Sequence, residues 1–80
     1  MTIRESEIPR RIIALRKSRG YTQGALADAI HMTRPTIRRI ESGENPPTIR
    51  LIVNIAEKLH TTPEWLLGEG NPTIPPEIID

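Results

Sequence analysis

The chain has 80 residues, with 11 Lys and Arg against 10 Asp and Glu and no Cys. This length suits one domain with a single modest core. The absence of Cys excludes a disulfide framework, a thiolate zinc site and a cysteine nucleophile. No apolar run approaches the ~20 residues of a membrane span, and the N-terminus lacks the apolar core of a signal peptide. We therefore expect a small cytoplasmic domain without a membrane contact.

The net charge of +1 conceals an uneven distribution along the chain. Residues 1–43 carry nine basic and four acidic side chains, a net of +5, whereas residues 44–80 carry two basic and six acidic ones, a net of −4. Such asymmetry is typical of a protein with one side that faces a polyanion. An ordinary mixed surface would explain the charges alone equally well.

Apolar residues at helical spacing predict a first helix that begins at Glu7 or Ile8 and ends at Arg19. Ile8, Ile12 and Leu15 fall at positions i, i+4 and i+7 and form one apolar stripe. The basic residues of this segment are expected to point away from the stripe: Arg10, Arg11, Arg16 and Lys17. Glycine follows the segment directly and is a common end of a helix.

Four further helices are predicted where threonine, a preferred N-cap, precedes a short segment with helical periodicity. The helices cover residues 23–30, 34–41, 49–59 and 63–67, and their caps are Thr22, Thr33, Thr48 and Thr62. Beyond Gly68, proline and glycine exclude a regular helix. The sequence thus predicts an all-α domain over residues 1–68, a compact five-helix bundle, followed by an irregular C-terminal tail over residues 69–80.

The informative stretch is residues 23–42, two short helices joined by a tight turn. Ala27 would lie where the two helices cross, because a small side chain lets their backbones approach. Ile37 and Ile40 would face the core, which at ~100° per residue leaves one outward face on the second helix. The residues on that face are Arg34, Pro35, Arg38 and Arg39. Like charges on one helix face repel, and DNA phosphates and guanine edges would offset that repulsion.

This stretch resembles the helix-turn-helix family of phage repressors and Cro, the xenobiotic-response-element type. The matching text is LRKSRGYTQGALADAIHMTRPTIRRIESGENPPTIRLIVNIAEKL. The residues on the family pattern are Thr22-Gln23, Leu26-Ala27, Ile37, Ile40-Glu41 and Gly43. The resemblance extends over about residues 8–68 and implies a fold of the phage-repressor DNA-binding domain type, in which residues 34–41 form the recognition helix that enters the major groove.

The sequence departs from the family pattern at two positions. His31 replaces the usual turn glycine, which histidine accommodates because it is enriched among non-glycine residues with positive φ. Gly24 weakens the helix interior by roughly 1 kcal/mol relative to Ala, and a close approach of the backbone to phosphate would explain it. Neither departure conflicts with the fold.

The outward side chains of residues 34–41 are the candidates for reading bases. Arg34 and Arg38 are predicted to pair bidentately with guanine O6 and N7, each good pair discriminating by ~1–3 kcal/mol. Arg39 lies farther round the helix and would contact either a base or a phosphate. A solvated arginine is the alternative for all three. Pro35 would touch a thymine methyl group, and a structural proline in the first turn explains it equally well.

The phosphate candidates lie at helix ends. Gln23 begins a helix, where unpaired N–H groups and the helix dipole favour an anion. The resemblance implies that Gln23 binds phosphate and braces the recognition residues. The hydroxyl groups of Thr33, Thr36 and Ser42 are further candidates, although capping alone explains Thr33 about as well.

Two residue pairs are expected to serve other tasks. Arg16 and Glu41 flank the core, and the family commonly pairs these positions, so we predict a partly buried structural ion pair and no DNA contact by Arg16. Trp65 and Leu66 would belong either to the core alone or to a possible dimer seam.

The sequence predicts a sequence-specific double-stranded DNA-binding transcriptional regulator, with repression as the expected outcome, that acts as a homodimer on a two-fold-related operator. The alternative is an antitoxin-like module that holds a protein partner through residues 69–80 and binds DNA only for autoregulation. No enzyme, catalytic residue, cofactor or metal site is predicted, because no nucleophile–base arrangement appears and His31 and His60 lack ligand-spaced companions.

Overall fold

A computed structural model describes residues 7–68 as five helices. They are α1 (Glu7–Ser18), α2 (Gln23–Ala29), α3 (Arg34–Ser42), α4 (Ile49–Lys58) and α5 (Pro63–Leu66). All five predicted helices are present, and each ends within one residue of its predicted end. The described part of the chain contains no strand, so the all-α prediction is confirmed. The predicted tail, residues 69–80, lies outside the described residues, as do residues 1–6.

Threonine caps explain where α2 to α5 begin. Each capping residue has extended backbone angles, and its Oγ1 accepts a hydrogen bond from the backbone N–H three residues later. The caps and their N···O distances are Thr22 (3.0 Å), Thr33 (3.4 Å), Thr48 (3.2 Å) and Thr62 (3.2 Å). Each hydroxyl satisfies one of the N–H groups that a helix N-terminus leaves unpaired.

Histidines in the left-handed conformation end α2 and α4. His31 has φ 61°, as its place in the turn predicts, and His60 has φ 59°, which the sequence analysis does not anticipate. In both turns the next residue donates to a carbonyl five positions earlier, Met32 to Ala27 at 2.8 Å and Thr61 to Ala56 at 2.9 Å. These bonds are the Schellman pattern, in which a left-handed residue lets the chain leave the helix.

The core draws side chains from all five helices. Its buried apolar members are Ile12, Leu15, Leu26, Ala27, Ile30, Ile37, Ile40, Ile52, Ile55, Ala56, Leu59, Trp65 and Leu66. Ala27 is 1% exposed at the contact of α2 with α3, where a larger side chain would separate the helices. Burial of each large aliphatic side chain contributes roughly 1.5–3 kcal/mol. This core fixes α3 against α2 and α1, with one side left at the surface.

The structure places Trp65 and Leu66 inside this core, at 3% and 0% exposure. Their burial supports the core alternative for the two residues, because neither side chain is available at the surface of the monomer. Among the described residues, the large apolar side chains at the surface are Met32, Ile49, Val53 and Leu67.

Arg11 departs from the sequence prediction. The expectation that it points away from the core is wrong, since it is 2% exposed. Its Nη1 donates to the backbone carbonyl of Trp65 at 2.7 Å, and its Nη2 lies 3.3 Å from the carboxylate of Glu7. Its guanidinium carbon lies 4.9 Å from the Trp65 ring centroid, within the range of a cation–π contact. Burial is possible because α5 packs on α1 and supplies polar and aromatic partners for the charge.

In the part of the chain that the structure describes, no helix combines the length and the apolarity needed to cross a membrane.

Candidate nucleic-acid interface

The outward face of α3 brings together the four residues predicted to read bases. Ile37 and Ile40 are 1% and 2% exposed, so the side of the helix that carries them packs against the core and the opposite side faces outward. The residues of the outward face are all exposed: Arg34, Pro35, Arg38 and Arg39. Because α3 begins at a capped residue and is anchored by two buried isoleucines, these side chains project from a fixed scaffold.

The guanidinium groups of this face differ in their intramolecular partners. Among the ion pairs of residues 7–68, none involves Arg34 or Arg38, which stand one turn apart and repel each other. Arg39 differs, since its Nε lies 3.9 Å from Oε1 of Glu44. Arg34 and Arg38 therefore present planar, multi-donor groups to solvent, of the kind that suits guanine edges and phosphates.

Arg16 and Glu41 form a buried ion pair between α1 and α3. The Nε of Arg16 donates to Oε2 of Glu41 at 2.6 Å and its Nη2 to Oε1 at 3.0 Å, while its Nη1 donates to the backbone carbonyl of Tyr21 at 2.8 Å. The two side chains are 9% and 4% exposed. A bidentate pair with additional hydrogen bonds is the arrangement in which burial of two charges is tolerated.

Gln23 joins this ion pair through its amide. Its Nε2 donates to Oε1 of Glu41 at 3.0 Å. A carboxylate only accepts hydrogen bonds, so the contact fixes the amide orientation, with the NH₂ group toward Glu41. The amide retains its oxygen and one further N–H for other partners. Gln23 is half-buried at the start of α2, beside the outward face of α3, from which Arg34 lines the same open cleft.

The hydroxyl groups predicted as phosphate ligands already have hydrogen-bond partners at the two ends of α3. Thr33 Oγ1 lies 2.9 Å from Thr36 Oγ1 and caps the helix. Ser42 donates to the carbonyl of Arg39 at 3.0 Å and accepts from the backbone N–H of Glu44 at 3.4 Å. These bonds give each hydroxyl a structural task at an end of α3.

Gly24 stands in open space in the same cleft. A Cβ atom added there would meet nothing within 4 Å. Packing within the chain therefore does not require a glycine, and close approach of a phosphate at Gly24 stays a prediction.

Two arginines of the first helical segment make long-range contacts that sequence reasoning does not anticipate, one of them buried and one at the surface. Arg11 bonds to α5, as described above. Arg19 donates from Nε to the carbonyl of Leu59 at 2.8 Å and from Nη2 to that of His60 at 3.2 Å, so it caps the C-terminus of α4. No local pattern signals either contact, because the partners lie 54 and about 40 residues away.

Residues 7–68 contain no group of three or more His, Asp or Glu side chains positioned to hold a metal ion. His31 and His60 stand at separate helix ends, where their backbone conformation gives each a structural role.

The chain matches known proteins in sequence and in fold. A family model described as helix-turn-helix matches residues 12–66. A chain of the SinR protein/SinI protein complex superposes with a TM-score of 0.74 at 26% identity, over 84% of this chain and 66% of that one. An HTH_3 family transcriptional regulator from Vibrio cholerae gives a TM-score of 0.73 at 31% identity, over 85% of this chain and 38% of that one. This chain therefore spans less than two thirds of either protein.

The solution structure of the DNA-binding domain of the P22 c2 repressor is similar over most of its length. It gives a TM-score of 0.72 at 24% identity and covers 84% of this chain and 93% of that one. This likeness shows the fold, a five-helix domain of the phage-repressor type.

Proposed function

Since the chain belongs to the helix-turn-helix family of DNA-binding transcriptional regulators, we propose that it is a sequence-specific repressor that inserts α3 into the major groove of double-stranded DNA. The observation that carries the proposal is the two-sided character of α3. Its inner side is locked by Ile37 and Ile40, while its outer side exposes the three arginines and Pro35. A helix of this kind fits the major groove in width and presents donors to base edges and phosphates.

Arg34 and Arg38 are the proposed base readers. Both are exposed and one turn apart, so they would reach successive base pairs along the groove. Pro35 lies between them, where it would contact a thymine methyl group. Arg39 would contact a base or a phosphate at the edge of the face. A bidentate contact between arginine and guanine would give each reader ~1–3 kcal/mol of discrimination against the wrong base.

Gln23 is the proposed phosphate ligand at the start of α2. Its contact with Glu41 supports this role, because the amide is held in one orientation with an N–H group still available. The hydroxyl groups of Thr33, Thr36 and Ser42 are secondary phosphate ligands in this proposal. The Arg16–Glu41 pair supports the site from within and does not contact DNA.

A homodimer on a two-fold-related operator would complete the recognition unit. Each monomer would place one α3 in the major groove, with half-sites about one helical turn apart, ~34 Å. Repression would follow from occupancy of a promoter by the dimer. Its location in the cytoplasm stays a prediction.

Selection of bound duplexes from a random library, followed by binding assays on the selected site, tests the proposal. Arg34→Ala should weaken binding by ~1–3 kcal/mol and relax the preference at one base position. Arg50→Ala is the matched control, because Arg50 is an exposed arginine on α4. Each phosphate contact should add about 0.9 to the slope of log affinity against log salt concentration. Unchanged affinity and preference of the Arg34→Ala variant would refute the assignment of Arg34.

A second candidate is an antitoxin-like module whose main task is to hold a protein partner. The observation that supports this candidate is that a structurally similar chain was solved in the SinR protein/SinI protein complex. The partner would bind through residues 69–80, which lie outside the described residues. Co-purification from the native host, with and without these residues, distinguishes the candidates. A single stable partner that is lost on truncation supports the antitoxin-like function.

A further inference from the structure

We propose that Glu44 weakens binding to the DNA backbone by competing with phosphate for Arg39. The inference rests on the proposed function of α3 and concerns the one arginine of its outward face that has an acidic neighbour. The guanidinium Nε of Arg39 lies 3.9 Å from Oε1 of Glu44, and both side chains are at the surface, at 50% and 68% exposure. The pair therefore stands where a DNA backbone would approach.

The backbone of the loop after α3 keeps Glu44 beside Arg39. Gly43 ends the helix with φ 86° and turns the chain back. The carbonyl of Arg39 then accepts from the N–H groups of Glu44 at 3.0 Å and Asn45 at 3.2 Å and from the hydroxyl of Ser42 at 3.0 Å. The loop backbone therefore holds the carboxylate of Glu44 close to the guanidinium of Arg39. The local concentration of this carboxylate is high and does not depend on the anions in solution.

Carboxylate and phosphate oxygens compete for the same guanidinium donors. On a duplex of arbitrary sequence, Arg39 binds a phosphate only in exchange for Glu44, so the wild-type domain makes this phosphate contact for only part of the time. The exchange therefore adds little to non-specific affinity, which comes almost entirely from phosphate contacts. On an operator, contacts by Arg34 and Arg38 to base edges are unaffected by Glu44. The carboxylate consequently lowers the affinity for any duplex whose backbone Arg39 approaches, whether or not the duplex contains the operator.

Glu44→Gln tests the proposal, because the amide keeps the shape of the side chain and the backbone bonds of the loop while losing the charge. The probe is a short duplex of arbitrary sequence. An exposed ion pair stabilises by up to about 1 kcal/mol, so the variant should bind this duplex about two- to fivefold more tightly than wild type. Release of Arg39 to one phosphate should raise the salt slope, by at most about 0.9.

Two comparisons separate this effect from a change of net charge. Glu57→Gln makes the same charge change on α4, at an exposed carboxylate that takes part in none of the ion pairs of residues 7–68, and it should leave the slope unchanged. In an Arg39→Gln background, Glu44→Gln should lose its effect on the slope. An equal slope increase in that background, or no increase in the wild-type background, overturns the proposal.

A measurement without DNA keeps the inference distinct from the proposed function. The ¹⁵N–¹H resonance of the Arg39 Nε group should shift in the Glu44→Gln variant and stay in place in Glu57→Gln. An unmoved resonance overturns the proposal. Failure of the wild-type domain to bind any duplex would refute the proposed function instead, and the resonance would still report on the pair.

Discussion

Replacement of Glu41 by alanine should destabilise the domain by about 3 kcal/mol. The substitution leaves the guanidinium of Arg16 in a site where its side chain is 9% exposed, and loss of one partner of a buried ion pair costs about 3–5 kcal/mol. We expect the lower end of this range, because Arg16 retains its bond to the carbonyl of Tyr21 at 2.8 Å and Gln23 is only half-buried. The loss is large against a typical total stability of about 5–15 kcal/mol.

Urea denaturation, followed by Trp65 fluorescence and far-ultraviolet circular dichroism in parallel, measures this change. Trp65 is the one tryptophan of the chain and is buried, so its emission reports loss of the core. Thermal unfolding should show a drop in Tm of about 12–24 °C, from about 4–8 °C per kcal/mol for a domain of this size. Glu57→Ala, at an exposed position on α4, is the control and should change stability by less than about 0.5 kcal/mol.

A paired substitution tests the physical reason for the loss. Arg16→Met combined with Glu41→Leu removes both charges, and replacement of a buried ion pair by apolar side chains of similar volume is often neutral or stabilising. The double variant should therefore be clearly more stable than Glu41→Ala alone. A double variant as unstable as the single one, or a loss below about 1 kcal/mol for Glu41→Ala, would contradict the argument that desolvation of Arg16 causes the effect.

Three further substitutions have expected outcomes of known sign. Arg11→Met should destabilise by about 1–3 kcal/mol, because the carbonyl of Trp65 loses a buried donor; circular dichroism is the suitable probe, since the change lies beside the tryptophan ring. His60→Gly should raise the free energy of unfolding, measured by urea denaturation, by about 0.5–1 kcal/mol, because glycine adopts the left-handed conformation without a Cβ penalty. A lower free energy of unfolding would contradict this. Thr33→Ala should cost about 1 kcal/mol through the lost cap of α3, while Thr33→Ser should retain most of that stability.

Local signals in the sequence account for the helices and for the exposed face of the candidate site. Threonine followed by a periodic apolar segment predicts four helix starts, because capping and periodicity are both effects of neighbouring residues. The same periodicity predicts which side of α3 is buried, since Ile37 and Ile40 leave only one outward direction. The left-handed conformation of His31 is predicted because His31 occupies the position of the turn glycine in the helix-turn-helix family. No such family position predicts the conformation of His60, although its turn closes with the same hydrogen bonds.

The positions of charged side chains depend on tertiary contacts, and sequence periodicity does not determine them. Arg11 lies next to the apolar stripe of α1, and whether it faces solvent is decided by the packing of α5, which brings a carbonyl and an indole ring over it. Arg19 likewise finds its acceptors only because α4 ends beside α1. A helical wheel contains neither partner, so periodicity misses both contacts, and for Arg11 it also predicts the wrong exposure.

Several basic residues of the first half of the chain are engaged by ion pairs and hydrogen bonds within the fold. The net of +5 over residues 1–43 counts Arg11, Arg16 and Arg19, and all three are bonded within the fold. Arg11 and Arg16 are paired with Glu7 and Glu41, which the same total counts as acids, so these two ion pairs leave the net of +5 unchanged. On the outward face of α3, two of the three arginines have no carboxylate partner among the described residues, and the third is paired with Glu44. Besides Arg19, six exposed basic residues of 7–68 form no ion pair with a described residue: Arg10, Lys17, Arg34, Arg38, Arg50 and Lys58. All six can add to non-specific phosphate binding. Only Arg34 and Arg38 also lie on the outward face of α3, so their substitution should change sequence preference more than substitution of the other four.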